Sequence, residues 1–405
     1  MASPLLTLNG VEVRRGMGVV LSDHSLTLSG GQVMVVEGPN GSGKSTLLET
    51  AAGLISLEKG DVAHRETVIH DHEGRKKASP LNVTLVLQKN GILGSERVNE
   101  HLEMAMSMSK FKVDPTPYLK SFNLLHRRDD LVAHLSQGQA RKVAVLSALL
   151  PAFASPEPCL VFLDEPDAGL DDDAVQALCD WIDALGQLGH GIFIVTHDQR
   201  VKTCATALHR LPKGVTEEID REQTTAAQAP SRSPMKAISP MKFGWRMQWR
   251  TLGWLNQNGV AALLTLGIVL LVLEVPLDVS TLQGVGCFLA PALAAGLCGD
   301  GTVTMLREER ANTWWRGVAH RTPHAGWLPF LIGGGVSLLS SLALINGVDV
   351  TLVFVGACLT GVVSHLLRFA QQAMDQLARP NAVFVGLLTP VLLLPYALLL
   401  DLLIG

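Results

Sequence analysis

The stretch Gly38-Pro39-Asn40-Gly41-Ser42-Gly43-Lys44-Ser45-Thr46 constrains this chain more than any other. It fits the P-loop pattern G-x-x-x-x-G-K-[ST] at Gly38, Gly43, Lys44 and Ser45. Gln32 to Glu37 reads as a buried strand entering the loop, and Thr46 to Ala52 as the helix leaving it. Glycines let backbone N–H groups turn inward around a phosphate, where Cβ atoms would clash. The helix N-terminus adds partial positive charge. Lys44 is spaced to reach the β- and γ-phosphates of a nucleotide, and Ser45 to hold Mg²⁺ through its hydroxyl. A glycine-rich turn that binds nothing would not need the strand and helix in register.

At 405 residues the chain has room for two or three domains. Its apolar residues are unevenly spread: residues 1–220 read as an α/β domain, whereas 258–405 are mostly apolar. The net charge of −4 gives no reason to expect nucleic acid as a partner. Six widely separated cysteines, with no C-x-x-C, argue against a disulfide framework or a zinc site. Met1-Ala2-Ser3-Pro4 lacks a basic and apolar leader, so no signal peptide is expected and the first domain should stay in the cytosol.

Leu6–Leu8, Val11–Val13, Val19–Leu21 and Leu26–Leu28 alternate enough for a small antiparallel sheet. Further on, Val83 to Leu87 is a strong strand with Gln88 at its end. Leu135-Ser136-Gln137-Gly138-Gln139 lies in the helix-rich stretch 97–150. Cys159 to Leu163 is an apolar run ending in Asp164-Glu165, and Ile192 to Val195 is another, ending in Thr196-His197. Polar groups at the C-terminal ends of buried parallel strands are where open α/β sheets bind ligands.

In this order and spacing, residues 5–212 resemble the nucleotide-binding domain of an ABC transporter. The resemblance implies an α/β P-loop NTPase fold of ABC type, with an antiparallel β subdomain and a helical subdomain, in residues 1–212. It also implies ATP and Mg²⁺ as cofactors. The nucleotide-binding residues would be Gly38, Pro39, Asn40, Gly41, Ser42, Gly43, Lys44, Ser45 and Thr46. By the same resemblance Gln88 touches Mg²⁺ and senses the membrane domain, and Leu135 to Gln139 are the signature used in trans on a partner's ATP. Asp164 holds the metal with Ser45, Glu165 is the general base, Asp171 is the D-loop aspartate and His197 is the switch histidine. The chemistry agrees, because in-line attack on a γ-phosphate needs an oriented water, a metal, and cations where charge develops. Two departures stand out. The signature has Gln137 at its third position instead of glycine, while Ser136 and Gly138 remain. No Phe, Tyr or Trp occurs in residues 1–37 to stack on adenine. Arg14 or Arg15 occupies that region, either as a guanidinium that stacks on the base or as an exposed pair.

Residues 213–240 are polar and aperiodic, as in a flexible linker. Residues 241–257 mix Lys242, Arg246 and Arg250 with Phe243, Trp245, Trp249 and Trp254. That pattern suits a helix in the cytosolic membrane interface, or ordinary anchors of a first span. Stretches free of Asp, Glu, Lys and Arg follow at 251–273, 279–299, 322–348, 350–367 and 380–400. Each is near the ~20 residues a span requires. Residues 258–405 are therefore expected to be an all-α transmembrane domain with about five spans. After residue 240 every Lys and Arg precedes the first span or lies between spans two and three or four and five. Glu274, Asp278, Asp349 and Asp401 occupy the other side, so the positive-inside rule puts the N-terminal side in the cytosol. The cytosolic segment Leu306 to Arg321, with Trp314 and Trp315, reads either as a coupling helix docking near Gln88 or as an interfacial helix. His365, in the fourth stretch, is open to haem ligation, protonation or polar packing, of which packing is the commonest use of such a residue.

A cassette followed by spans in one chain resembles an ABC half-transporter with an ABC-2-type membrane domain, in the cytoplasmic membrane. No EAA-like importer loop is visible. Within ABC proteins the chain is similar to the haem exporter, or cytochrome c maturation, subunits. The marks are the non-glycine signature, the basic pair Arg141-Lys142, and the spaced prolines of Thr389-Pro390 to Pro395. Those membrane subunits have six spans where five are counted here. The resemblance implies a homodimer, a bilayer and cytochrome c maturation proteins as partners. A general exporter of lipid, drug or glycan, and a non-transporting ABC ATPase, are the other readings.

Overall fold

The computed structural model describes residues 4–221, 228–272, 282–307, 310–344, 349–374 and 382–404. Glu274, Asp278 and Arg379 lie outside the described residues. The chain forms two compact units. One comprises residues 1–238 with 307–322, and the other residues 239–306 with 323–405.

The strands run β1 (Pro4–Arg15), β2 (Gly18–Ser29), β3 (Val33–Glu37), β4 (Lys59–His64), β5 (Thr67–Asp71) and β6 (Val83–Val86). They continue with β7 (Phe111–Lys112), β8 (Leu160–Asp164), β9 (Gly191–Val195), β10 (Ala207–Arg210), β11 (Val215–Glu218) and β12 (Ser233–Pro234). The helices of this region are α1 (Lys44–Ala51), α2 (Val98–Ser107), α3 (Thr116–Ser121), α4 (Gln137–Ala154), α5 (Asp172–Gln187) and α6 (Gln199–Lys202). The remainder carries α7 (Pro240–Thr251), α8 (Val260–Val272), α9 (Leu282–Leu297), α10 (Gly301–Arg307), α11 (Ala311–Ala319), α12 (Leu328–Leu344), α13 (Val350–Met374) and α14 (Ala382–Ile404).

The main sheet of the first unit has the order β11-β10-β3-β9-β8-β6. From β10 to β6 the pairs are parallel. β8 and β9 are buried along their whole length, as continuous apolar runs covered on both faces must be. A second sheet, β2-β1-β4-β5, is antiparallel. The four short strands expected before residue 29 are two long ones. Register shifts between Leu8 and Val11 absorb the break in alternation, with Gly10 at a positive φ of 52°.

Of residues 213–240, expected as a flexible linker, the described ones up to 238 belong to the first unit and include two strands. β11 extends the main sheet along the open edge of β10, and β12 pairs with β7. The Arg221 guanidinium donates to both carboxylate oxygens of Asp183, at 2.5 and 2.8 Å. An open strand edge supplies backbone partners that composition cannot reveal.

The expected helix 241–257 is shorter. α7 ends at Thr251, with Leu252 in the left-handed region at φ 51°, and a π-helical turn Leu255–Gly259 leads into α8. In the second unit α9 packs with α8, α12 and α13. Its core includes Phe288, Leu289, Ala292, Leu359 and Val363. Small residues set the approach of α12 and α13: a Cβ at Gly333 would sit 2.5 Å from the Gly356 carbonyl oxygen. Each of the five apolar stretches holds one helix. Among the described residues three helices are long and apolar enough to cross a membrane, Leu255–Val272, Phe288–Arg307 and Val350–Gln372. Leu328–Ala343 and Leu393–Leu403 are shorter apolar helices. His365 faces Arg368, their nitrogens 2.9 Å apart.

Two buried histidines of the first unit make its stability pH-dependent. His64 Nε2–H donates to the Ala51 carbonyl while Nδ1 accepts from the Ser79 hydroxyl, and His190 Nδ1 accepts from the Cys159 N–H. Burial holds both rings neutral, with pKa lowered from 6.5 to about 4. The folded values lie below the unfolded ones. Stability is therefore whole above 6.5 and falls as pH drops from there towards 4, because the unfolded chain takes up protons the folded one refuses. At about pH 5 the expected loss is on the order of 2 kcal/mol per histidine. Hydrogen exchange at β4 and β9, compared between about pH 8 and pH 5 after correction for intrinsic rates, checks it. Equal protection would show that the rings accept protons in place.

Candidate nucleotide-binding site

The P-loop leaves the end of β3 and enters α1, whose first turn begins at Lys44. Gly43 caps α1 at a φ of 95°, and a Cβ there would meet Val20 of β2 at 2.9 Å. A Cβ at Gly38 would lie 2.6 Å from the Ser42 hydroxyl. Both glycines are thus demanded by the folded loop itself. Lys44 Nζ donates to the Gly38 and Pro39 carbonyls at 2.9 and 3.1 Å. An ammonium has three donors, so one is free for an anion.

β8 delivers Asp164 to the same end of the sheet. The Ser45 hydroxyl donates to Asp164 Oδ1 at 3.1 Å, while the buried Oδ2 has no hydrogen-bond partner among the described residues. Burial pushes the Asp164 carboxyl up to about 6, against the pull of Ser45. A hydroxyl and a buried carboxylate oxygen lacking a partner are the hard oxygen donors Mg²⁺ takes. Such a cation would also keep this carboxylate ionised.

Glu165 sits at a φ of 48°, a strained conformation for a side-chain-bearing residue. Its backbone is pinned on both sides: its N–H donates to Val195 O at 2.7 Å, and its carbonyl accepts from Arg141 at 2.7 Å. The side chain is one-third exposed, and its Oε1 lies 4.0 Å from Nε2 of the exposed His197. Gln88 is exposed just past β6. Among the described residues no hydrogen bond joins it to Ser45 or Asp164.

The signature Leu135 to Gln139 opens α4 with a capping box. Gln139 N–H donates to Ser136 Oγ at 3.3 Å, and Ser136 N–H donates to Gln139 Oε1 at 3.0 Å. Ser136 and Gln137 are exposed. Gly138 is fixed by packing, since a Cβ there would lie 2.8 Å from Gly169 O. Gln137 fills the third position without such a constraint. Asp171 caps α5 through the Ala174 N–H, and Lys142 Nζ donates to its other oxygen at 2.5 Å.

Arg15 ends β1 with its guanidinium on Glu49 Oε2 at 2.6 Å, and Arg14 lies 4.0 Å from Glu12. Both side chains are exposed, and each is ion-paired.

Sequence reading missed the part played by Arg141, which it used only as a mark of resemblance. Arg141 is 5% exposed. It donates to Leu87 O at 2.7 Å, Asn90 Oδ1 at 3.2 Å, and the carbonyls of Asp164 and Glu165. One cation thus ties the end of β6 to the end of β8. Its pKa is lowered by burial, opposed by Asp164, Asp167 and Glu165. The available signal was its place before the apolar run Val143 to Leu150: a charge on such a helix must find partners.

α11 belongs to the first unit, although its sequence lies among the apolar helices of the second. Trp314 and Trp315 are buried, and Trp314 Nε1–H donates to Leu85 O of β6 at 3.0 Å. Gly91, at a φ of 72°, gives room, since a Cβ there would meet Trp314 Cβ at 2.9 Å.

A family profile described as ABC transporter matches residues 21–168. The chain is 32% identical over 197 residues to the zinc import ATP-binding protein ZnuC of Yersinia enterocolitica, covering 48% of this chain and 71% of that one. It is 30% identical over 201 residues to the glutamate/aspartate import ATP-binding protein GltL of Escherichia coli, covering 48% and 81%. A solved ATP-binding subunit of an ABC transporter aligns over 53% of this chain and 90% of its own, at 22% identity and a TM-score of 0.45. With two relatives aligned over most of their length, the chain belongs to the ABC transporter family, and its N-terminal region is an ATP-hydrolysing cassette.

Proposed function

We propose that this chain is an ATP-driven ABC half-transporter of the cytoplasmic membrane that works as a homodimer and exports its substrate. The observation that carries the reading is the seat of Trp314 on Leu85, three positions before Gln88. It puts a segment flanked by apolar helices onto the strand that leads to the candidate sensor. Lys44 and the P-loop amides bind the nucleotide phosphates, Ser45 and Asp164 hold Mg²⁺, Glu165 accepts the proton of the attacking water, and His197 bonds the γ-phosphate. Motion at Gln88 passes to α11. Import in the names of ZnuC and GltL belongs to those proteins, which match this chain over its cassette alone. Export is favoured here by the order cassette, α7, spans in one chain. The narrower reading, haem export for cytochrome c maturation, rests on resemblance alone. Its test is haem efflux from vesicles driven by ATP, with lipid and drug substrates in parallel.

Topology is the direct test of the membrane reading. In intact cells, a cysteine replacing Asp349 should react with an impermeant maleimide, and one replacing Arg316 should react only after lysis. Reaction at position 316 from outside would invert the chain and remove the cassette from its ATP.

A further inference from the structure

Glu49 lies on α1, the helix that the P-loop opens, and is 4% exposed. A buried carboxylate is costly unless it is paired. Glu49 has two partners, one for each oxygen. Oε2 accepts from Arg15 at 2.6 Å, and Oε1 accepts from Arg310 at 2.7 Å. The two arginines come from unrelated parts of the chain. Arg15 closes the β1–β2 hairpin, whose Val20 abuts Gly43 of the P-loop. Arg310 is the residue from which α11 starts. Their side chains are 48% and 36% exposed, so each can move while Glu49 stays in place.

We propose that Glu49 is a positioning residue that couples the base-binding end of the ATP site to the seating of α11. The inference rests on the nucleotide-site reading above and takes Arg15 as the guanidinium that stacks on the base, one of the two uses its sequence position allows. An edge-on bond to Glu49 fixes the plane of the Arg15 guanidinium and leaves its face open to a purine. Arg310 keeps that bond single by occupying the other oxygen. Without Arg310, Arg15 can take both oxygens in the stronger bidentate form, which turns its plane towards α1 and off the base. Such coupling is reciprocal. A nucleotide that holds Arg15 reserves Oε1 for Arg310 and so steadies the start of α11.

The test uses the full-length protein in nanodiscs with MgATP. Arg310→Ala, distant in sequence from every nucleotide motif, should weaken ATP binding about fivefold, and in a Glu49→Gln background the same change should cost less than about twofold. Amide exchange over residues 311–319 should slow with ATP in the parent and not in Glu49→Gln, a readout independent of affinity. Equal effects of Arg310→Ala in both backgrounds, or none in the parent, would overturn the relay. Lys44→Ala separates this from the wider reading. ATP binding that needs Lys44 but ignores Arg310 sinks the relay alone, whereas a parent protein that binds no ATP sinks both.

Discussion

Glu165→Gln should leave ATP binding intact and slow hydrolysis by about 10²–10⁴-fold, the usual cost of losing a general base. The substitution keeps the size of the side chain and removes its ability to accept a proton. The strained backbone at residue 165 is held by main-chain bonds to Val195 and from Arg141, and glutamine keeps both. His197, at 4.0 Å, is untouched. A pure loss of turnover with unchanged affinity is therefore the signature of a chemical role, and loss of both would indicate a collapsed loop. The measurement is steady-state phosphate release beside equilibrium binding on the same preparation. Turnover at the parent rate would remove Glu165 from the mechanism.

What the sequence made legible was local. The P-loop, the Asp164-Glu165 pair and the signature each fit within a few neighbouring residues, and their order along the chain fixed their end of the sheet. Contacts between distant segments were not legible. Arg141 reaches Leu87 across 54 positions, and Arg310 reaches Glu49 across 261. Nothing near Arg141 or Glu49 in sequence announces those partners. The docked stretch after residue 212 was misread for a related reason: its polar strand Val215–Glu218 is exposed throughout and held by the edge of β10, not by its own apolar pattern. The early end of α7 turns on Leu252 in a left-handed conformation, which leucine rarely adopts, so only Gly253 beside it hinted at a break. Trp314 shows the reverse case. Two alternatives stood open for its segment, and the indole hydrogen bond to Leu85, 229 positions away, supports the coupling reading proposed above.

A mixture of two inactive variants should regain hydrolysis if the working unit is a homodimer. The chain has one P-loop and one signature. Within it the signature caps α4 at an exposed surface, with Ser136 and Gln137 open to solvent. Gly138 against Gly169, and Lys142 on Asp171, fasten signature and D-loop into one block that can meet a second copy. Each ATP would then lie between Lys44 of one chain and Ser136 of the other, and a two-fold axis, the commonest closed symmetry, repeats the site. Lys44→Ala damages the P-loop side and Ser136→Arg the signature side. Ser136→Arg also removes a capping box, worth about 1 kcal/mol, so its folding is checked by ATP binding at its own P-loop. Each variant alone makes two defective sites. A mixed dimer has one site with both defects and one with neither, and random pairing makes about half of all dimers mixed. Phosphate release should therefore return on co-assembly to roughly a quarter of the parent rate if the sites fire independently. Silence from a mixture shown to contain mixed dimers would mean that both sites must fire together, or that they are not shared. Dilution separates those cases: parent activity that falls as the dimer dissociates retains the shared site, and full activity as a monomer ends the dimer model.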